Sequence, residues 1–126
     1  MRLDGSTACM TIDGATDTEV FRTYVRQVLG PSLRSGDVVI MDNLSPHKSA
    51  QTLSLIQQLG VAVLFLPAYS PDLNPIEKMW SKLKEMLRSL EARSKPSLIE
   101  AIASALEAIT VQDAINWFAS CGYSFI

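Results

Sequence analysis

Two apolar runs, Val38–Met41 and Val61–Leu66, set most of what this chain can fold into. Each is short, continuous and rich in β-branched residues, the pattern of a strand buried on both faces. Between them Ser45-Pro46 opens a helix-length stretch that Gly60 closes, with Ala50, Leu53, Ile56 and Leu59 on its inward side. Strand, helix, strand is a βαβ unit, so the two strands are predicted to be adjacent and parallel, joined by a right-handed crossover. Ligands of open α/β sheets bind beyond the carboxyl ends of the strands. Asp42-Asn43 stands at that end of the first run. After the second run, Pro67, Pro71 and Pro75 break the chain into a turn-rich loop. The next helix begins around Glu77, with Asn74 suited to cap it and Pro75 to its first position. Two strand ends on one sheet edge predict that the Asp42 and Glu77 carboxylates lie about 4–8 Å apart, near enough to share a metal site.

The rest of the chain reads as follows. Thr7–Ile12 is predicted as a short strand after the Asp4-Gly5 turn, with Met1–Leu3 the stub of a strand before it. Thr16 and Glu19 form a capping box. The helix they start places Val20, Phe21, Tyr24, Val25, Val28 and Leu29 on one stripe and is stopped by Gly30-Pro31. Ser35-Gly36 then turns into the Asp42 strand. The Pro75 helix is the longest, reaching about Ala92, with Trp80, Leu83, Leu87 and Leu90 as its core stripe. Its other faces are basic: six cations stand against two acids from Lys78 to Lys95. A helix over 96–109, with Leu98, Ile102 and Leu106 inward, precedes one that starts at a Thr110/Asp113 capping box and ends at Cys121-Gly122.

A chain of 126 residues with 48% hydrophobic and 19% charged residues is globular and suits one domain, here with a core over 7–92 and helices over 96–121. The sequence has no bilayer-length apolar run and no signal-peptide core, which places the protein in the cytoplasm and away from membranes. Cys9 and Cys121 form no CxxC pair and read as buried free thiols. A net charge of −2 is unlike that of a self-sufficient nucleic-acid binder.

Asp and Glu at neighbouring strand ends are hard oxygen ligands, suited to Mg²⁺ or Mn²⁺. DNLSPHK, followed by LPAYSPDLNPIEKMWSKLK, resembles the catalytic core of bacterial insertion-sequence transposases of the IS630 type, within the IS630/Tc1/mariner group of DDE endonucleases. The 34 residues between Asp42 and Glu77 fit that group's pattern. The resemblance is specific from Gly36 to Leu87 and looser from about Thr11 to Tyr123. It implies an RNase H-like fold with a two-ion Mg²⁺ or Mn²⁺ site in the complete domain. It implies DNA strand cleavage by water and then strand transfer, with transposon ends and target DNA as partners. It also implies a dimer of the complete enzyme and a nucleoid-associated place in a bacterial cytoplasm. Asp42 matches the second carboxylate of the family and Glu77 the third. Asn43 and His47 fall where they would support the metal ligands or touch DNA, and Lys78 and Lys82 where they would meet the DNA backbone.

The family's first carboxylate, on the central strand, has no match: Asp4, Asp13 and Asp17 sit at turns or a helix start. Met1 aligns near the end of the family's second strand. The fold is therefore expected to be N-terminally truncated, without the first strand and without the upstream DNA-reading helices. Taken singly, Asp42-Asn43 is equally a turn after a strand and Glu77 equally the partner of Asn74 in a helix cap. His47 is as well suited to a structural role, and the basic helix face to plain solvation. Together with the spacing and the proline loop, the acidic pair favours the metal reading. The function expected is part of a metal-dependent DNA transposase, inactive as this segment alone. The alternative is a non-catalytic remnant, or one half of a split transposase, acting as a folding and association module.

Overall fold

The computed structural model describes residues 1–123, apart from the side chains of Ser45 and Pro46. It is a mixed α/β structure of two compact units. One comprises Ala8–Ser70; the other comprises Met1–Thr7 with the chain from Pro71 onward.

The Ala8–Ser70 unit holds the sheet. Strands β1 (Val38–Met41) and β2 (Ala62–Phe65) pair in parallel, with Val38 opposite Ala62 and Met41 opposite Phe65. This is the predicted βαβ pairing. The expectation of burial on both faces fails. Val39, Met41, Val63 and Phe65 join a core with Phe21, Val25, Ile56 and Val61. The opposite face leaves Val38 57% and Leu64 54% exposed. Alternation follows from the period of two along a strand when only one face is covered. The predicted Thr7–Ile12 strand is not formed, nor is a Met1–Leu3 strand. No described strand pairs with either, and an extended segment without a ladder neighbour is not a strand. Arg2 and Gly5 instead close a turn, through Arg2 N–H to Ser6 O and Gly5 N–H to Arg2 O.

Helix α1 (Thr18–Tyr24) is capped by Asp17, whose carboxylate accepts from Val20 N–H at 2.9 Å. Thr16 is therefore not the cap: Asp17 has the extended backbone that a cap needs, and its carboxylate reaches the third amide after it. Nor does Gly30-Pro31 stop the helix. A π turn over Val25–Leu29 leads into α2 (Gly30–Ser32). Pro31 has no N–H to give, and its ring crowds the carbonyl four residues back; widening the preceding turn relieves both. A Cβ on Gly30 would stand 2.7 Å from Val25 O, so this turn admits glycine.

The connection between the strands is two elements rather than one. A 3₁₀ turn (Ser45–Lys48) is separated from α3 (Ala50–Gln57) by Ser49, whose ψ of 126° is not helical. Thr52 and Ile56 are fully buried in α3, with Leu53 and Leu55 beside them, whereas Ala50 and Leu59 face outward. Gly60, at φ +75°, closes the segment as expected.

The second unit is helical. α4 (Pro75–Leu90), α5 (Lys95–Glu107) and α6 (Val111–Ser120) enclose Met79, Leu83 and Ala105, flanked by Ile76, Met86, Leu106, Ile109 and Trp117. The α4 stripe is rotated from the predicted one: Trp80 and Leu90 are exposed at 40% and 51%, and only Leu83 is buried in both. Ile76, Met79, Leu83 and Met86 satisfy the helical spacing equally well. In α5 the buried residues are Ala101 and Ala105, and Leu98 is exposed. Two alanines let α5 approach α4 closely where leucines would hold it off. The Thr110/Asp113 capping box is present with both of its hydrogen bonds. Cys121 is buried, but Cys9 is exposed, against the expectation of two buried thiols. No described helix is long and apolar enough to cross a membrane.

Candidate functional site

Asp42 follows β1 directly, and Leu66 N–H donates to Met41 O at 2.8 Å. The 67–70 loop therefore leaves the sheet on the edge where Asp42 begins. Leu44 N–H donates to Asp42 Oδ1 at 3.3 Å, the Asx turn expected of this residue type. His47 Nδ1 approaches the same Oδ1 at 2.6 Å. That approach is close but off the line of a hydrogen bond, and Nδ1 is buried with no hydrogen-bond partner among the described residues. Both contacts fall on Oδ1, and Oδ2 takes part in neither. The imidazole lies against the Phe21 ring, with centroids 4.4 Å apart. Phe21 belongs to the core, so packing from α1 sets where His47 stands. Sequence reasoning found Asp42 and His47 but not Phe21, which reaches the site only through the tertiary fold. Asn43 is exposed and turned to solvent beside them.

Glu77 lies in the first turn of α4, in the other unit. Asn74 is the cap residue by backbone, but its side chain makes no capping bond. Glu77 N–H instead donates to Asn74 O at 3.1 Å. The Glu77 carboxylate is exposed, and no described residue pairs with it. The capping-pair reading of Asn74 and Glu77 therefore has no side-chain bond behind it. Lys78, Lys84 and Arg88 stand exposed on α4. Lys82 is half-buried and engaged: its ammonium pairs with Asp113 of α6, reaches Ala108 O, and lies 6.0 Å from the Trp117 ring centroid. That ammonium and the Thr110 N–H hold the Asp113 carboxyl below its ordinary range. Lys82 thus braces α4 against α6, which leaves Lys78 the freer of the two lysines assigned to DNA.

Among the described residues, no three His, Cys, Asp or Glu side chains gather as a metal-holding group. Asp42 and Glu77 are hard oxygen donors of the kind Mg²⁺ and Mn²⁺ prefer, and among the described residues neither carboxylate is consumed by an ion pair with a lysine or arginine. One residue near this edge escaped sequence reasoning. Tyr69 has φ +58° and is wholly exposed, at 101%. No local signal marks it: Tyr69 stands between Ala68 and Ser70-Pro71, and whether an aromatic in such a turn is covered depends on segments distant along the chain.

The model of the DDE superfamily endonucleases matches residues 1–99. The chain is 32% identical over 90 residues to the Tc1 transposase of Caenorhabditis elegans, covering 71% of this chain and 33% of that protein. It is 28% identical over 102 residues to the Tcb1 transposase of Caenorhabditis briggsae, covering 78% and 37%. A stretch of 42 residues, 33% of this chain, is 45% identical to 6% of the human histone-lysine N-methyltransferase SETMAR. The chain spans about a third of the length of the transposases it matches. These animal relatives do not single out the bacterial branch suggested by the residues alone. A family match over residues 1–99, a span that includes Asp42 and Glu77, together with the transposase relatives, places this protein in the DDE superfamily endonucleases, among transposases of the IS630/Tc1/mariner type.

Proposed function

We propose that this chain supplies the second and third carboxylates, Asp42 and Glu77, of a transposase site that cleaves DNA strands and joins them to a target. The observation that carries this reading is Asp42 at the carboxyl end of a parallel strand, its Oδ1 held by Leu44 N–H and approached by His47. The parallel β1–β2 pair supports an RNase H-like sheet, in which such a strand end carries a metal ligand. Divalent ions bound there would clamp the attacking and leaving oxygens of an in-line displacement at phosphorus. Within the protein, Leu44 N–H holds Asp42 Oδ1 and His47 stands against the same oxygen, which leaves Oδ2 out of both contacts. Glu77, free in the first turn of α4, presents its oxygens without first breaking an ion pair. Lys78, next to it on the same helix, meets a DNA phosphate as an exposed cation. The ligand count of two calls for a third carboxylate from outside the described contacts. The complete enzyme acts on transposon ends and target DNA.

The test is Mg²⁺- or Mn²⁺-dependent cleavage of DNA by this chain, with and without a supplied segment of a related transposase bearing the first-strand Asp. Cleavage is expected only with that segment. Asp42→Ala or Glu77→Ala should then abolish it, with far-UV circular dichroism unchanged. Cleavage that survives either substitution overturns the reading.

A second reading, a non-catalytic association module, is favoured by the absence of a three-ligand group among the described residues and by the exposed apolar face of the sheet. It predicts no cleavage under any of these conditions.

A further inference from the structure

Among the described residues, Tyr69 is the aromatic whose placement neither packing nor backbone geometry accounts for. Its φ of +58° lies in the left-handed region, where a bulky side chain is an outlier and glycine would be unstrained. It gains nothing from burial, since it is 101% exposed, and its hydroxyl has no described partner. The turn is closed around it by other groups: Ser70 Oγ donates to Ala68 O at 3.3 Å. A strained residue with no internal contact points to a contact outside the molecule. The loop emerges at the sheet edge where Asp42 begins, because Leu66 N–H donates to Met41 O. Its neighbours Pro67, Ala68 and Pro71 are exposed and small, so the ring stands alone with both faces open. An isolated, two-faced ring offers little to an apolar protein surface, which needs a contiguous patch. It matches a single planar ligand, and every unpaired nucleobase has such a face.

We propose that Tyr69 is a stacking platform for an unpaired base of the DNA handled at the Asp42 edge. This rests on the DNA reading above and adds a base-binding residue to it. The hydroxyl is incidental to stacking, and the ring does the binding.

The experiment uses the chain as it stands, with a fluorescein-labelled single-stranded oligonucleotide and the same sequence as a duplex, followed by fluorescence anisotropy. Tyr69→Phe should bind the single strand as tightly as the unmodified chain. Tyr69→Ala and Tyr69→Gly should each weaken that binding about tenfold, the scale of one lost base–aromatic stack, with duplex binding changed much less. Tyr69→Gly should also raise the melting temperature, because it relieves the positive φ. This combination, weaker binding with greater stability, is one that a structural tyrosine would not give. If Tyr69→Ala binds the single strand like the unmodified chain, or if Tyr69→Gly melts lower, the proposal is overturned while the DNA reading stands. If the unmodified chain binds neither DNA form while the complemented chain still cleaves DNA, the proposal is overturned and the DNA reading stands; if it neither binds nor cleaves, the DNA reading falls and this proposal with it. If Tyr69→Ala leaves DNA binding intact but abolishes self-association in sedimentation velocity, the ring belongs to a contact between copies and the proposal is wrong.

Discussion

Single side chains in this protein are set by what they bury. Tyr24 is half-buried, and its hydroxyl donates to Ala8 O at 2.7 Å, tying the segment before α1 to that helix. Burial, reinforced by the nearby Cys9, pushes the phenol above its ordinary range. A phenol raised in the folded state contributes stability that is fully present below the unfolded value, near ~10, and lost as pH rises through the folded one. Tyr24→Phe is expected to cost about 1 kcal/mol at neutral pH, one net hydrogen bond, and to flatten the alkaline limb of the stability profile. Urea melts at neutral pH and above the ordinary phenol range check both halves; a variant as stable as the parent would show that the tether does no work. The same logic extends to His47, whose backbone is set by the 3₁₀ turn over Ser45–Lys48 and whose ring packs against Phe21.

Helices here are decided at their ends and by the faces their neighbours select. Thr110 Oγ accepts from Asp113 N–H at 2.9 Å, and Asp113 accepts in return from Thr110 N–H at 3.1 Å. Thr110→Ala should lower stability by about 1 kcal/mol in thermal unfolding. Asp113 also pairs with Lys82, so the box at the start of α6 and the α4–α6 contact share one carboxylate. Its lowered pKa means that this contribution is present above the ordinary carboxyl value and lost as pH falls through the lower folded one. Both side chains keep about a quarter to a third of their surface in water, which makes the pair a modest one. Melting curves from neutral pH into strong acid should show Asp113→Asn losing less stability on acidification than the parent. An equal loss would assign the acid limb to other carboxylates.

For the molecule as a whole, the unbalanced feature is the sheet. Two parallel strands are covered on one face by α1, α3 and the π turn, and the other face exposes Val38 and Leu64. Among the described residues the sheet has two strands, and their outer edges are templates for pairing with another chain. The chain is expected to self-associate at micromolar concentration, and Leu64→Lys to shift it toward monomer in size-exclusion chromatography. A parent that elutes as a monomer would show the exposed face to be harmless.

The sequence by itself determined the local geometry. Val38–Met41 and the run around Val61–Leu66 could only be strands, and a connection of helix length forced them parallel. Gly36 and Gly60 fixed the turns around them, and Thr110 and Asp113 fixed the start of α6. The motif from Asp42 to Glu77 also identified the family, because its spacing and prolines are local properties of the chain. Tertiary structure decided everything that depends on neighbours. Thr7–Ile12 has strand composition but no described strand beside it, so it stays unpaired. Trp80 and Met79 both fit a helical stripe, and the small residues of α5 together with α6 selected the Met79 side. Asp17 displaced Thr16 as cap because its backbone, not its type alone, put an oxygen in reach of Val20 N–H. The setting of Asp42 by His47, the support of His47 by Phe21 and the exposure of Tyr69 were likewise beyond sequence. Each is a contact, or the lack of one, between segments whose spacing along the chain says nothing about their distance in space.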